Sequence, residues 1–572
     1  MDLTEKQKNS VLCDARLYLA AETDEKFANE VAQAIEMEDW DNLYDRFYTQ
    51  LTFGTAGMRG VIGGGTNRMN PFMVRKVTQA LAQYLIESTS TPSVSIAYDS
   101  RLYSSEFAKA AACVLAANGV KVYLYSTLHP VPMLSYALRY THSTAGIVIT
   151  ASHNPSKYNG YKVYWSDGGQ VTPPHDIGIV AKVKSVTSES IKDIKESVAR
   201  TKGLIVTMNK AVDESYYKMI DSSLRRPELV KNAPIVVAYT PLHGSGNVPV
   251  RTMLNNYGIK TVVVKEQEEP NGSFPTVKLP NPESAQAMEK VIALAKKEKA
   301  DIVLGTDPDA DRLGIAIPKN KDKKEYILLT GNQIATLLAD YLLFTNKELK
   351  LNSKRPLIVK SLVTTDIIKR ICNSYGADCK DVLTGFKYIA EQIQAIEDNP
   401  KAEDFFLFGC EESYGFLTVK EVRDKDAVSS AIAAVEMMCY YNSKGLTLQQ
   451  RLEQIYEEYG YSTEVVFAHD YEGSVGKAKM EAIMASLRGL KVGDTLVNRT
   501  IKTMLDLDGE NTGFPKADVL IYTFTSGEKL IVRPSGTEPK IKYYLFLTSG
   551  EMSKEELIAK KDAIKEEFSN AL

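Results

Sequence analysis

The chain of 572 residues carries 69 Lys+Arg against 72 Asp+Glu, a formal net charge of −3, with 44% hydrophobic and 25% charged residues. This is a globular composition, long enough for roughly three to five domains, and too near neutrality to hold a nucleic-acid backbone or an anionic membrane by its overall field. Six cysteines without a C-x-x-C pair or zinc spacing, a charged N-terminal stretch, and no run of about 18 apolar residues lead us to expect a soluble, cytoplasmic protein with neither nucleic acid nor membrane as partner.

Short β-branched runs alternate with amphipathic, helix-length segments, the pattern of parallel α/β layers. Val94 to Asp99 (VSIAYD) reads as a strand. Ser104 to Asn118 reads as a helix with Ser104 as N-cap and Gly119 just past its end, followed by strands at Val120 to Tyr125 and Gly146 to Thr150. The pattern restarts with strands at Pro234 to Tyr239 and Thr261 to Val264, a helix from Glu283 to Lys297 and a strand at Asp301 to Leu304. A third round has strands at Leu357 to Lys360 and Phe405 to Phe408, and helices near Thr365 to Cys372 and Asp426 to Tyr441. Beyond about Gly460 the order becomes α+β: a helix near Gly476 to Leu487, strands at Val519 to Thr525, Lys529 to Val532 and Ile541 to Leu547, and a charged closing helix from Ser553 to Phe568. The polar stretches Lys184 to Lys202 and Pro318 to Glu325 are candidate boundaries, the second also readable as a hairpin turn. The fold class is therefore α/β, three similar domains with mixed, mostly parallel sheets followed by an α+β domain, divided as 1–203, 204–320, 321–458 and 459–572.

Chemistry-bearing residues gather where strands end. FGTAGMRG supplies Arg59, and the glycines Gly63 to Gly65 lack the G-x-G-x-x-G spacing of a dinucleotide site. In GIVITASHNPSKYNGYK an apolar strand runs into Ser152, His153 and Asn154, where open α/β sheets place ligands. Ser152 is a candidate nucleophile, although S-x-N-P also makes an ordinary turn. In DIVLGTDPDADRLGIA an extended loop would point Asp307, Asp309 and Asp311 to one side, and their mutual repulsion calls for a hard divalent cation; a solvated acidic turn is the competing reading. An EF-hand is excluded by Arg312 and Pro318 at its sixth and twelfth positions. FFLFGCEESYGF offers carboxylates and hydroxyls suited to sugar hydroxyls, or simply helix-start acids. LIVRPSGTEPKIKYY offers a guanidinium, two hydroxyls and a glycine, a phosphate cradle or a plain turn.

Taken together and in this order, TASHNP, DPDAD-R, EES and RPSGTEP resemble the motifs of the α-D-phosphohexomutase family, which includes phosphoglucomutases and phosphomannomutases. The resemblance spans nearly the whole chain and implies four domains around a central cleft. It implies Ser152 as phosphoserine and, with Asp307, Asp309 and Asp311, as a ligand of one Mg²⁺ per chain. Glu411 and Ser413 would contact sugar hydroxyls, and Arg533, Ser535, Gly536 and Thr537 would hold the non-reacting phosphate. Lys162 matches the family's suggested proton-transfer group, His153, Arg59 and Arg312 match further active-site positions, and Lys425 lies in RDKD, similar to a substrate-binding segment of glucose-type members. The implied reaction interconverts α-D-glucose 1-phosphate and glucose 6-phosphate, with glucose 1,6-bisphosphate as intermediate and activator, in a monomer or homodimer. EESYG favours glucose over mannose; phosphomannomutase, phosphopentomutase and glucose-1,6-bisphosphate synthase are the alternatives on the same scaffold. The rivals from other classes are a dehalogenase-type phosphatase using Asp307, disfavoured by Asp311 where that pattern has Thr or Val, and a phosphosugar-binding sensor without turnover.

Overall fold

The first three sheets repeat one arrangement. A buried central strand enters a loop and the chain returns antiparallel beside it: Ala145–Ile149 with Tyr158–Trp165, Ile302–Thr306 with Leu313–Pro318, and Asp404–Glu411 with Gly415–Leu417. On the other side of each central strand the pairing is parallel, with Ser93–Tyr98, Val236–Thr240 and Arg355–Ser361 respectively. Ala145–Ile149 and Ile302–Thr306 are buried at every position, as expected of strands covered by helices on both faces. Their carboxyl ends therefore all open toward the same kind of site. This computed structural model describes residues 3–54, 57–471, 473–535, 540–549 and 552–572.

Sheet strands lie just beyond the expected boundaries at 203 and 320. Ile205–Thr207 pairs in parallel with Lys121–Leu124 and completes the six-stranded first sheet, so that sheet continues past residue 203. Residue 320 falls inside a hairpin, because Tyr326–Leu328 returns against Leu313–Pro318 and joins the second sheet. An exposed turn and an interdomain linker have the same polar composition, and composition alone cannot separate them. Ser104 is also not the N-cap: Tyr103, at φ 65°, takes that place without a side-chain cap, and the Ser104 hydroxyl donates to Asp99 at 2.8 Å.

Three helices that open the chain, Glu5–Ala21, Glu25–Glu36 and Trp40–Phe47, pack beside the first domain. The triple glycine is a packing feature, since a Cβ on Gly64 would lie 2.3 Å from the Phe27 carbonyl oxygen. The second and third domains share a continuous apolar core that includes Leu304, Ile358, Phe408 and the helix Ala427–Ser443. The fourth sheet is antiparallel throughout and has its own core. It meets the third domain through a small cluster, Leu362, Val363 and Leu383 against Leu507, Val519, Ile531, Tyr544 and Phe546, and through an ion pair between Lys529 and Asp366. Among the described residues no helix is long and apolar enough to cross a membrane.

Candidate active site

The loops that follow the first two central strands meet. Ser152 Oγ donates to Asp307 Oδ2 at 2.8 Å and lies 3.1 Å from His153 Nδ1. Ser152 is 4% exposed and adopts φ 51°, a left-handed conformation that costs a non-glycine residue on the order of 1–3 kcal/mol unless its surroundings impose it. Thr150 supplies part of that constraint: its hydroxyl accepts the Ser152 amide at 2.8 Å and lies 2.6 Å from Asp99 Oδ2 and 3.1 Å from Asp309 Oδ2.

The acidic loop converges, but as a tight turn and not in the extended form read from the sequence. Asp307 Oδ1 accepts the amides of Asp311 and Arg312 at 3.2 and 3.1 Å, and Ala310 turns at φ 47°. One carboxylate oxygen from each of Asp307, Asp309 and Asp311 lies within 4.8 Å of the others, and all three residues are buried. Asp309 Oδ1 and Asp311 Oδ1 are buried without a hydrogen-bond donor, a costly state for carboxylate oxygens. Burial and its two acidic neighbours push Asp307 well above the usual carboxylate range. Burial acts the same way on Asp309, but Lys162 and the bond with Asp307 outweigh it and hold Asp309 at about 2. An all-oxygen, negatively charged, undersupplied pocket fits a hard divalent cation, and these three residues could hold a metal.

Cations ring the pocket. Lys162 Nζ lies 3.0 Å from Asp309 and 3.5 Å from Asp311, and Lys425 Nζ lies 3.3 Å from Asp311 and 3.1 Å from Asp424. Burial disfavours the Lys162 ammonium, yet Asp309 and Asp311 raise its pKa above the ordinary lysine value. Arg312 pairs with Glu283, and the exposed Arg59 donates to Asn154 Oδ1 at 3.1 Å. Burial, reinforced by Arg312 and Arg59, drives His153 down to about 2, so its imidazole is neutral.

The third central strand delivers Glu411, whose carboxylate accepts the Gly385 amide at 2.8 Å. Glu412 follows, accepting from Ser361 Oγ at 3.0 Å; burial and the adjacent Glu411 push it up to about 7. Ser413 is partly exposed on the same turn. Arg533, partly exposed on the strand Lys529–Pro534, faces Tyr544, which also senses Glu412 and Glu411. The Ser535 amide bonds the Lys540 carbonyl at 2.8 Å, while Gly536 and Thr537 lie outside the described residues. The structure thus brings Ser152, His153, Lys162, the three aspartates, Arg312 and Lys425 together, with Glu411 close to Arg312 and Lys425.

Sequence reasoning assigned no site role to Asp99, Arg101 or Tyr164, and held Thr150 and Asp424 only as parts of TASHNP and RDKD. Asp424 accepts the Tyr164 hydroxyl at 2.7 Å and the Lys425 amide at 2.8 Å, linking the first and third domains behind Lys425. One signal was available: Asp99 and Arg101 follow an apolar strand just as the recognised motifs do.

Models of the phosphoglucomutase/phosphomannomutase alpha/beta/alpha domains I, II and III match residues 50–190, 214–320 and 330–459. A phosphoglucomutase of Staphylococcus aureus (strain MRSA252) is 37% identical over 514 residues, covering 88% of this chain and 90% of that protein. Among solved structures, a putative phosphomannomutase of Thermus thermophilus aligns with TM-score 0.67 and 21% identity over 90% of this chain and 99% of that one. The Paramecium phosphoprotein pp63/parafusin, in its open form, aligns with TM-score 0.69 and 17% identity over 91% and 95%. At these identities the two structures speak for the fold alone.

Proposed function

The chain belongs to the phosphoglucomutase/phosphomannomutase family, and on that premise we propose that it interconverts α-D-glucose 1-phosphate and glucose 6-phosphate through a phosphoserine at Ser152. It is an enzyme of the phosphohexomutase type, an isomerase that works by phosphoryl transfer. The observation that carries the site assignment is the Ser152 hydroxyl at 2.8 Å from Asp307, against a pocket of buried carboxylate oxygens.

In the proposed cycle phospho-Ser152 gives its phosphoryl group to O6 of glucose 1-phosphate, the O6 proton passing to solvent while the freed Ser152 oxygen takes one from Lys162. The resulting glucose 1,6-bisphosphate turns over and returns its C1 phosphoryl to Ser152, releasing glucose 6-phosphate. The return transfer from C1 runs these proton steps in reverse, with Lys162 taking back the Ser152 proton and O1 gaining one from solvent. Mg²⁺, held by Asp307, Asp309, Asp311 and the Ser152 phosphoryl group, would supply charge neutralisation on the transferring group. Lys162 and Lys425 offset the remaining negative charge, about −2 for the phosphoserine alone. With its raised pKa, Lys162 enters as an ammonium, suited to protonating the Ser152 oxygen as it leaves and to holding a substrate oxygen in line. Glu411 and Ser413 would grip sugar hydroxyls in either orientation. Arg533, Ser535, Gly536 and Thr537 would clamp the distal phosphate from the fourth domain, whose movement would let the bisphosphate turn over.

The sugar loop EESYG, the RDKD segment and the Staphylococcus aureus relative named phosphoglucomutase support glucose. The test compares kcat/KM on glucose, mannose, ribose and N-acetylglucosamine 1-phosphates with the matching bisphosphates. We expect glucose to lead; a lead for mannose or ribose would reassign the sugar, and bisphosphate accumulating as product would make the protein a glucose-1,6-bisphosphate synthase. All six cysteines are free, which suits a cytoplasmic enzyme, acting as monomer or homodimer.

A further inference from the structure

Arg101 is 3% exposed and donates almost entirely to one loop. Its Nη2 reaches the Ser152 carbonyl at 2.5 Å and also the Asn154 carbonyl, while Nη1 donates to the Pro155 and Tyr158 carbonyls at 3.0 Å each. Four main-chain oxygens of the segment that turns around Ser152 thus converge on one guanidinium. Arg101 is itself held from three sides. Asp99 accepts its amide at 2.9 Å and lies 3.4 Å from its Nε, and the Phe274 ring of the second domain lies 5.0 Å from the guanidinium carbon. Its backbone bridges Gly272, where a Cβ would sit 2.4 Å from the Leu102 nitrogen.

We propose that Arg101 is the positioning residue that fixes the Ser152 loop for phosphoryl transfer; this rests on the reading of Ser152 as the transferring hydroxyl. Ser152 at φ 51° gives its carbonyl to Arg101 and its Oγ to Asp307. The Ser152 contact is buried and the other three are partly buried, so leaving these carbonyls without donors would work against that conformation. A guanidinium supplies several N–H groups in a fixed plane, which an ammonium cannot match. Without the fork, the loop would relax and carry Oγ away from Asp307, and a shift of about 1 Å in such a group costs about 100-fold in rate.

The test is Arg101→Lys, which keeps the charge and removes the fork. We expect kcat to fall about 100-fold with KM for glucose 1-phosphate within about threefold. Amide exchange across residues 152–158 should accelerate, while exchange in Ala145–Ile149 stays at the wild-type rate. Phe274→Leu removes the ring beneath the guanidinium but none of its hydrogen bonds; it should give the same pattern more weakly and serves if Arg101→Lys does not fold. Unchanged loop exchange, or unchanged kcat despite faster exchange, would overturn the proposal. Exchange is measured on protein without substrate, so it reports on the loop even if Ser152→Ala were found to retain turnover and the functional reading failed.

Discussion

Ser152 Oγ and Asp307 Oδ2 stand 2.8 Å apart although 155 positions separate them in the chain. Two domains each contribute the end of a central strand to this contact, so a hydroxyl that can carry a phosphoryl group adjoins the carboxylates that can hold its counter-ion.

Ser152→Ala should abolish mutase turnover, lowering kcat by at least about 1000-fold, because covalent transfer has no substitute once the hydroxyl is gone. Circular dichroism and the thermal midpoint should stay close to wild type. A coupled glucose 6-phosphate assay together with intact-mass detection of the phosphoserine checks both halves, and near-normal turnover would refute the assignment.

Chelation should remove activity and destabilise the protein, since a cation held by Asp307, Asp309 and Asp311 would offset their mutual repulsion. Asp307→Asn should then raise the thermal midpoint of the chelated protein while lowering activity and metal affinity in the loaded one. A lower midpoint in the chelated variant would mean that the carboxylate is stabilising without an ion.

Glu412 carries a pH signature. Its folded pKa of about 7 lies above the unfolded carboxylate value of about 4.3, so the folded state binds more protons between those limits and stability falls as pH rises through them. Glu412→Gln should therefore gain on the order of 1–2 kcal/mol relative to wild type at pH 8 and almost nothing at pH 4. Unfolding curves at the two pH values measure the difference; an equal effect at both would place the carboxyl in a water-like setting.

Gly331 opens the helix Gly331–Leu349, and a Cβ there would lie 1.9 Å from the Glu412 carbonyl oxygen. Gly331→Ala must push the sugar loop, at a cost of about 1–3 kcal/mol, even though alanine favours a helix. We expect KM for the sugar phosphate to rise several-fold with a lesser change in kcat. An unchanged KM would show that the loop's position does not matter for binding.

Arg533→Ala should act mainly on KM, because it removes a charge from the phosphate that does not react. Steady-state kinetics on glucose 1-phosphate separates the terms: a fall in kcat at constant KM would put Arg533 at the transferring group.

The central strands, the order of the four motif loops and the residue types at their tips could all be read from the chain without coordinates. These are local properties: strands buried on both faces read as apolar runs, and the polar residues that interrupt them mark the sheet ends. Ser152, the three aspartates and Glu411 could be placed at strand ends for that reason. Packing between distant segments settled the rest. Edge strands carry the first two sheets past 203 and 320, a left-handed turn at Ala310 converges the aspartates, and Asp309 and Asp311 outweigh burial to keep Lys162 charged. The strand end could mark Arg101 as a candidate but not its role, because bonds to backbone carbonyls leave no side-chain pattern, and RDKD could name Asp424 but not its partners, which lie some 250 residues away, among them Gln170.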